Sequence, residues 1–370
     1  MEYKARTLEE LSAKTSRAAE KHALLGFDGF VDKIMKVVNS RQGQGRAFEA
    51  MSEITQFGNR INAAAGESAN IELYPEMEKL GGNGPIMGNA VRAAGIDTTY
   101  VGALGQPIDP VFADFAQKCK VVSICNPGIT HALEFDDGKI MLGVTAPLDD
   151  VTYDRIVDSI GEGVFFDMIS RADLIGLVNW TMIPNMTTLF NDLLTKVLPN
   201  LGPKENGRCF FFDLADPAKR SQSDLLAVLK TIARFCSFGS VTLGLNLAEA
   251  RQVSRVLNLT EDSSSPEEIR LMAERIREAL DLTCVVVHPR HGAAASTKEG
   301  SWWVQGPLCA KPLISTGAGD HFNAGFATAQ VIGLSTPACL TVAVATSGQY
   351  VRTAKSPSLY DTARFIESWS

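Results

Sequence analysis

The chain has 370 residues, a formal net charge of -7, and 45% hydrophobic and 21% charged residues, which is room for one large globular domain or two. No Lys/Arg block stands out, so nucleic acid is excluded as an expected partner. No apolar run approaches the roughly 20 residues that cross a bilayer, and the start, MEYKARTLEELSAK, has no apolar signal core, so no membrane partner is expected.

In chain order, Thr7 and Glu10 predict a capping box on a short leading helix with Leu8 and Leu11 on its apolar face. HALLGFDGFVD (22–32) reads as a buried strand entering a glycine-marked turn. After GGNG, residues 85–95 read as a helix stopped by Gly95, and TTYVGAL (98–104) as a strand. ITHALEF and KIMLGVT, joined around Asp136-Asp137-Gly138, predict a hairpin. Strands follow at 172–180, 208–214, 240–246 and 284–289, with helices near 185–198 and 221–236. Another helix opens at the Ser265-Pro266-Glu267-Glu268 box. Short strands near 293–297 and 301–305 precede a long helix that starts in the 313–326 stretch and runs to Gly333, and further helices at 336–353 and 358–368.

Alternating strands and helices predict a doubly wound, mostly parallel α/β sheet with helices on both faces. IMKVV (34–38), ANIELYP (69–75) and the hairpin break that alternation and predict a small β lid. The expected division is a core of 1–33, 76–128 and 146–370, and a lid of 34–75 and 129–145 with a helical insertion near 47–65. The seven cysteines are scattered without a C-x-x-C pair and read as reduced thiols, so a cytoplasmic location is expected.

LISTGAGDHFNAGF (313–326) carries the chemistry. Backbone N–H groups at a helix start lack partners within the helix and lie at its positive end, and glycines let an anion approach them. Asp320 falls in the first turn, where a carboxylate can accept the proton of a hydroxyl that receives a phosphoryl group. The competing reading of G-x-G-D alone is a turn followed by an acid that favours the helix dipole.

The longer wording T-G-A-G-D-x-F-x-A-G-F closely resembles the C-terminal signature of the ribokinase-like carbohydrate kinases, the PfkB family. The likeness runs from about residue 22 to 355: LGGNGPIMGNAVRAAG resembles the family's Gly-Gly segment, Asn246-Leu-Ala-Glu249 its N-x-x-E motif, and SGQYVRT (347–353) its adenine-side helix. The resemblance implies a sandwich with a β lid and transfer of a phosphoryl group from ATP and Mg²⁺ to an alcohol of a sugar or related molecule. It implies Asp320 as general base, with Gly317, Ala318 and Gly319 completing the catalytic turn. Nucleotide contacts would include Thr316, Ser347, Gly348, Asn246 and Glu249, the last two ordering Mg²⁺ through water. Asp32, Gly82 and Asn83 would hold the acceptor, with Asp28 a fourth substrate contact or else a cap. For Asn246 and Glu249 the alternative is an N-cap with an acid in the first turn. The family's lid sheets are often buried by a second subunit, which makes a homodimer through the lid an expectation.

Asn179 and Trp180 are further candidates for the pocket, Trp180 equally for the core. Ile314-Ser315-Thr316 replaces the family's common Asp-Thr-Thr, which puts potassium activation in doubt, and Ile86 stands where ribokinase uses an asparagine on its sugar. His288-Pro289-Arg290-His291-Gly292 replaces a Thr-Leu-Gly strand end and looks faintly like the ADP-dependent sugar kinases. Arg290 could meet phosphate charge or be a surface residue. Asp213 and Asp216 receive no catalytic role. The rival functions are an ADP-dependent sugar kinase, a vitamin-precursor kinase of the same fold, and a non-catalytic ligand sensor.

Overall fold

The computed structural model describes residues 2–202, 204, 207–263 and 265–369. Its strands, in chain order, are β1 (His22–Phe27), β2 (Phe30–Arg41), β3 (Phe48–Ala50), β4 (Leu73–Gly81), β5 (Asp97–Gly102), β6 (Lys120–Ser123) and β7 (Gly128–Phe135). There follow β8 (Gly138–Val144), β9 (Leu174–Leu177), β10 (Cys209–Asp213), β11 (Ser240–Asn246), β12 (Cys284–His288), β13 (Gly292–Thr297) and β14 (Gly300–Gln305). A nine-stranded sheet runs β14-β13-β12-β11-β10-β9-β1-β5-β6. It is parallel from β6 to β12, and β13 and β14 extend it antiparallel.

The central strands read as continuous apolar runs because both faces are covered. Phe210 and Phe212 enter one hydrophobic core and Phe211 the other; Val285 and Val287 are separated from Val286 in the same way. The fold class is the expected one: an α/β sheet wound on both faces.

The second sheet has β2 at its centre, antiparallel to β4 and β3 and parallel to β7, which pairs with β8. Leu133 and Phe135 of β7 join Val37, Met51 and Phe57 in a small core of their own. Phe57 belongs to the helix Ile54–Ala63, so the insertion covers one face of this sheet. Thr130, an odd number of residues from Leu133, points to the other face.

Some elements differ from expectation. The strand expected at 34–38 is β2, twelve residues long from Phe30, and the one expected at 69–75 is β4 at Leu73–Gly81. The turn before β2 closes at Gly29, where a Cβ would lie 1.9 Å from the Ala103 carbonyl oxygen. β2 therefore restarts at once, and Asp32 stands on it. The helix expected near 47–65 splits into β3 and Ile54–Ala63. Thr7 is no cap: the helix spans Glu2–Lys14, and the Thr7 hydroxyl donates to the Tyr3 carbonyl one turn back. β6 and the helices Tyr153–Ile160 and Glu162–Arg171, parted by Gly161 at φ +85°, were not anticipated.

Candidate active site

The C-terminal ends of the parallel strands supply the polar groups, as open α/β sheets do. β1 leads to Asp28, β9 to Asn179, and β10, β11 and β12 end on Asp213, Asn246 and His288. Two helix starts, Asn83–Ala93 and Ala318–Val331, are anchored at the same edge.

Asp28 is fully buried. Its carboxylate accepts from the N–H groups of Asn83 (2.9 Å) and Gly84 (2.8 Å) and from Asn179 Nδ2 (2.5 Å). Burial pushes its pKa up to about 6 against those bonds. A side chain at Gly84 would meet the Tyr100 hydroxyl at 2.4 Å, so this helix start is tightly seated. Asp28, expected among the substrate contacts, instead braces Asn83 and the Gly-Gly turn.

Gly317, at φ +86°, caps the helix Ala318–Val331 without a side chain, and Asp320 follows in its first turn. Asp320 is 7% exposed and accepts from Asn83 Nδ2 at 2.8 Å. Burial pushes its pKa up to about 8; the Asn83 bond opposes the rise, and the charges of Asp28 and Glu249 add to it. Such a carboxyl takes up a proton readily near neutral pH.

This helix start divides two clefts. One, of about 300 Å³, is lined by Asp32, Gly82, Asn83, Ile86, Asn179, Thr316, Gly317 and Asp320. The other, of about 730 Å³, is lined by Ala318, Gly319, Asn246, Ser347 and Gly348, together with His288 and Arg290. The glycine-alanine-glycine backbone is thus accessible from both sides, and the carboxylate from the smaller one. Thr316, expected among the nucleotide contacts, lines the smaller cleft and receives a hydrogen bond from Lys139 of β8. Trp180 is core: it is 1% exposed, with Nε1 donating to Thr187.

Asn246 and Glu249 form a capping box. Asn246 Oδ1 accepts from the N–H groups of Ala248 and Glu249, and Glu249 returns a bond to the Asn246 N–H at 2.8 Å. The second Glu249 oxygen accepts from the Asp216 N–H at 3.1 Å. Their carboxylate and amide oxygens are shared with backbone donors, an arrangement better suited to ordering a metal's waters than to direct ligation. No cluster of three His, Cys, Asp or Glu able to hold a metal directly occurs among the described residues. Close by, Asp213 Oδ1 is buried without a partner, while Oδ2 accepts from Asn323 at 2.9 Å. Burial, then the charges of Glu249 and Asp320, hold the Asp213 pKa well above the carboxylate range. A cation would relieve that crowding, so the residues present fit Mg²⁺ held through water.

The sequence missed three side chains at this edge. Thr130 stands opposite Asp32 in the β2–β7 register and hydrogen-bonds its carboxyl, opposing the rise that burial imposes on it. The alternation of ITHALEF already placed Thr130 on the face away from the buried leucine. Lys139 follows the hairpin turn, with nothing local to show that it reaches the core. Asp213, a charged residue ending an aromatic strand, was visible but had no evident partner.

No helix among the described residues is long and apolar enough to cross a membrane. Residues 4–369 match the family model described as prokaryotic ketohexokinase. A curated ketohexokinase of Haloferax volcanii is 27% identical over 348 residues, covering 93% of this chain and 90% of that one. Among solved structures, Arabidopsis thaliana ribokinase complexed with ribose and ATP superposes with a TM-score of 0.63 at 16% identity, covering 94% of this chain and 98% of that one. The Methanocaldococcus jannaschii nucleoside kinase, an archaeal member of the ribokinase family, gives 0.59 at 13% identity over the same shares. These structural likenesses establish the fold.

Proposed function

The chain belongs to the prokaryotic ketohexokinase family and is a sugar kinase of ribokinase-like fold; from that premise we propose that it transfers the γ-phosphoryl group of ATP to a hydroxyl of a ketohexose. The observation that carries this reading is the division of two clefts by one helix start, with Asp320 on the side of the smaller. The smaller cleft takes the sugar and the larger the nucleotide.

Asp32 and Asn83 hold the sugar's hydroxyls in line with the transferring group. Asp320 takes the proton of the attacking hydroxyl as the new O–P bond forms and the bond to the β-phosphate breaks, releasing ADP. Asp320 then returns the proton to solvent. Gly317, Ala318 and Gly319 offer backbone N–H groups to the charge on the transferring phosphoryl. Mg²⁺ supplies neutralisation of phosphate charge when bound, and Asn246 and Glu249 would hold it through water. The strands β2, β3, β4, β7 and β8, with the helix Ile54–Ala63, act as a lid that excludes water from the transfer. The free thiols suit a reducing compartment, and we place the enzyme in the cytoplasm.

The test is phosphotransfer to a panel of ketohexoses, aldoses and nucleosides with Mg²⁺ and either ATP or ADP. Turnover with ATP on a ketohexose, lost by roughly 10²–10⁴-fold in Asp320→Asn, supports the reading. Turnover with ADP alone would replace the donor, and turnover only on another acceptor class would replace the substrate. An Asp320→Asn enzyme of full activity would remove the general base.

A further inference from the structure

The mechanism above leaves idle the residue that follows its base. His321 is 1% exposed, and its ring lies flat on Tyr350, with centroids 3.5 Å apart and planes 12° apart. Nδ1 sits 2.7 Å from the Gly317 carbonyl oxygen, which also accepts the helical bond from the His321 N–H at 3.0 Å. A carbonyl can only accept, so Nδ1 carries the proton. Burial holds the ring's pKa down at about 4. The ring is therefore neutral, and Nε2 accepts from the Ser356 hydroxyl at 2.9 Å. The Tyr350 hydroxyl in turn donates to the Thr316 carbonyl at 3.0 Å. Two stacked rings thus hold the successive carbonyls of Thr316 and Gly317.

The peptides that follow these carbonyls are both trans, and a trans peptide sets its N–H opposite its C=O. Holding the two oxygens against His321 and Tyr350 turns the N–H groups of Gly317 and Ala318 away from the rings. Gly317 lines the smaller cleft and Ala318 the larger, whereas neither ring lines either one. There is little slack in the turn. A Cβ at Gly317 would lie 3.1 Å from both the Tyr350 hydroxyl and Ile86 Cγ2. The Ala318 N–H donates a long bond, 3.3 Å, to the Ser315 carbonyl, one that a phosphoryl oxygen can displace.

We infer that His321 and Tyr350 are positioning residues that aim the Gly317 and Ala318 N–H groups at the phosphoryl group in transfer, an inference that rests on the kinase mechanism proposed above. The pair touches no ligand and acts through the backbone.

Tyr350→Phe keeps the stack and deletes only the hydroxyl; His321→Phe keeps a ring and deletes both polar tethers. Calorimetry on each would give the affinity for sugar alone and for sugar with ADP and aluminium fluoride, a mimic of the transferring phosphoryl, beside kcat and KM. Both variants should bind sugar with wild-type affinity and KM, yet lose roughly 10- to 100-fold in kcat and in affinity for the mimic complex. A lowered melting temperature with unchanged kcat and mimic affinity would make the rings structural only and overturn the inference. Should His321→Phe not fold, Tyr350→Phe decides alone. A wild-type protein that phosphorylates no sugar and forms no mimic complex removes the mechanism itself, and the inference with it.

Discussion

At the scale of single residues, the site is organised around carboxyl groups kept from water. Asp320 and Asp28 both have pKa values raised by burial, to about 8 and about 6. A carboxyl whose folded pKa lies above its unfolded value contributes stability at low pH, and that contribution is lost as pH rises through the folded pKa. For Asp320 the loss falls between about pH 4 and about pH 8, so its ionised form, the one the proposed mechanism uses, strains the fold. A pH series should show both sides of this. The ratio kcat/KM, which reports the free enzyme, is expected to rise along a limb centred near pH 8. Asp320→Asn, inactive, should melt higher than wild type by a few °C at pH 8.5, with the gap shrinking towards pH 5. A gap that stays constant with pH would mean that burial of this charge carries no cost. Asp320, the proposed base, was legible as a candidate in the sequence because GAGD puts it at a fixed offset from a helix start. The crowding at Asp213 was not, since three carboxylates meeting from β10 and the helices Leu247–Val256 and Ala318–Val331 cannot be seen one strand end at a time.

At the scale of elements, β2 joins the proposed acceptor contacts to the proposed lid. Phe30 pairs with Gly81 on one side and with Gly128 on the other, and Asp32 follows two residues on with Lys79 and Thr130 as neighbours. A Cβ at Gly81 would lie 2.4 Å from Asp32 Oδ1, so the glycine is what lets the carboxylate lie over the end of β4. Gly81→Ala should therefore raise the sugar KM by roughly 10-fold while leaving kcat within a few-fold, because a displaced Asp32 weakens ground-state and transition-state binding alike. Steady-state kinetics check this, and an unchanged KM would take Asp32 out of the sugar site. The sequence revealed the β7–β8 hairpin through its turn and the core strands through their apolar runs. It did not reveal the length of β2, because Asp32-Lys33 interrupts the apolar pattern with polar residues whose partners lie on β4 and β7. The helices Tyr153–Ile160 and Glu162–Arg171 did carry a signal, Tyr153, Ile156, Phe165 and Ile169 being their buried face. Gly161 between them breaks the period that would have made it plain.

At the scale of the whole molecule, the two faces of the lid are treated differently. One is covered by the helix Ile54–Ala63. On the other, Met77, Ile34, Ala132 and Met141 stand in register across β4, β2, β7 and β8, on the same side as Asp32 and Thr130. The two ends of that row are open, Met77 at 58% and Met141 at 49% exposure. An apolar row beside the proposed sugar cleft suits burial by a second copy of the chain, which is the homodimer expected of the lid. Met141 also lines the smaller cleft, so a partner seated there would help to wall the sugar from water. Light scattering on the wild-type protein should then give twice the chain mass, and Met77→Glu, which puts a charge on the row without touching either cleft, should give the single mass. If the row also walls the cleft, the same variant raises the sugar KM and leaves nucleotide affinity unchanged. A monomeric wild type would leave the lid to close alone, with Lys139 reaching Thr316 as its link to the core.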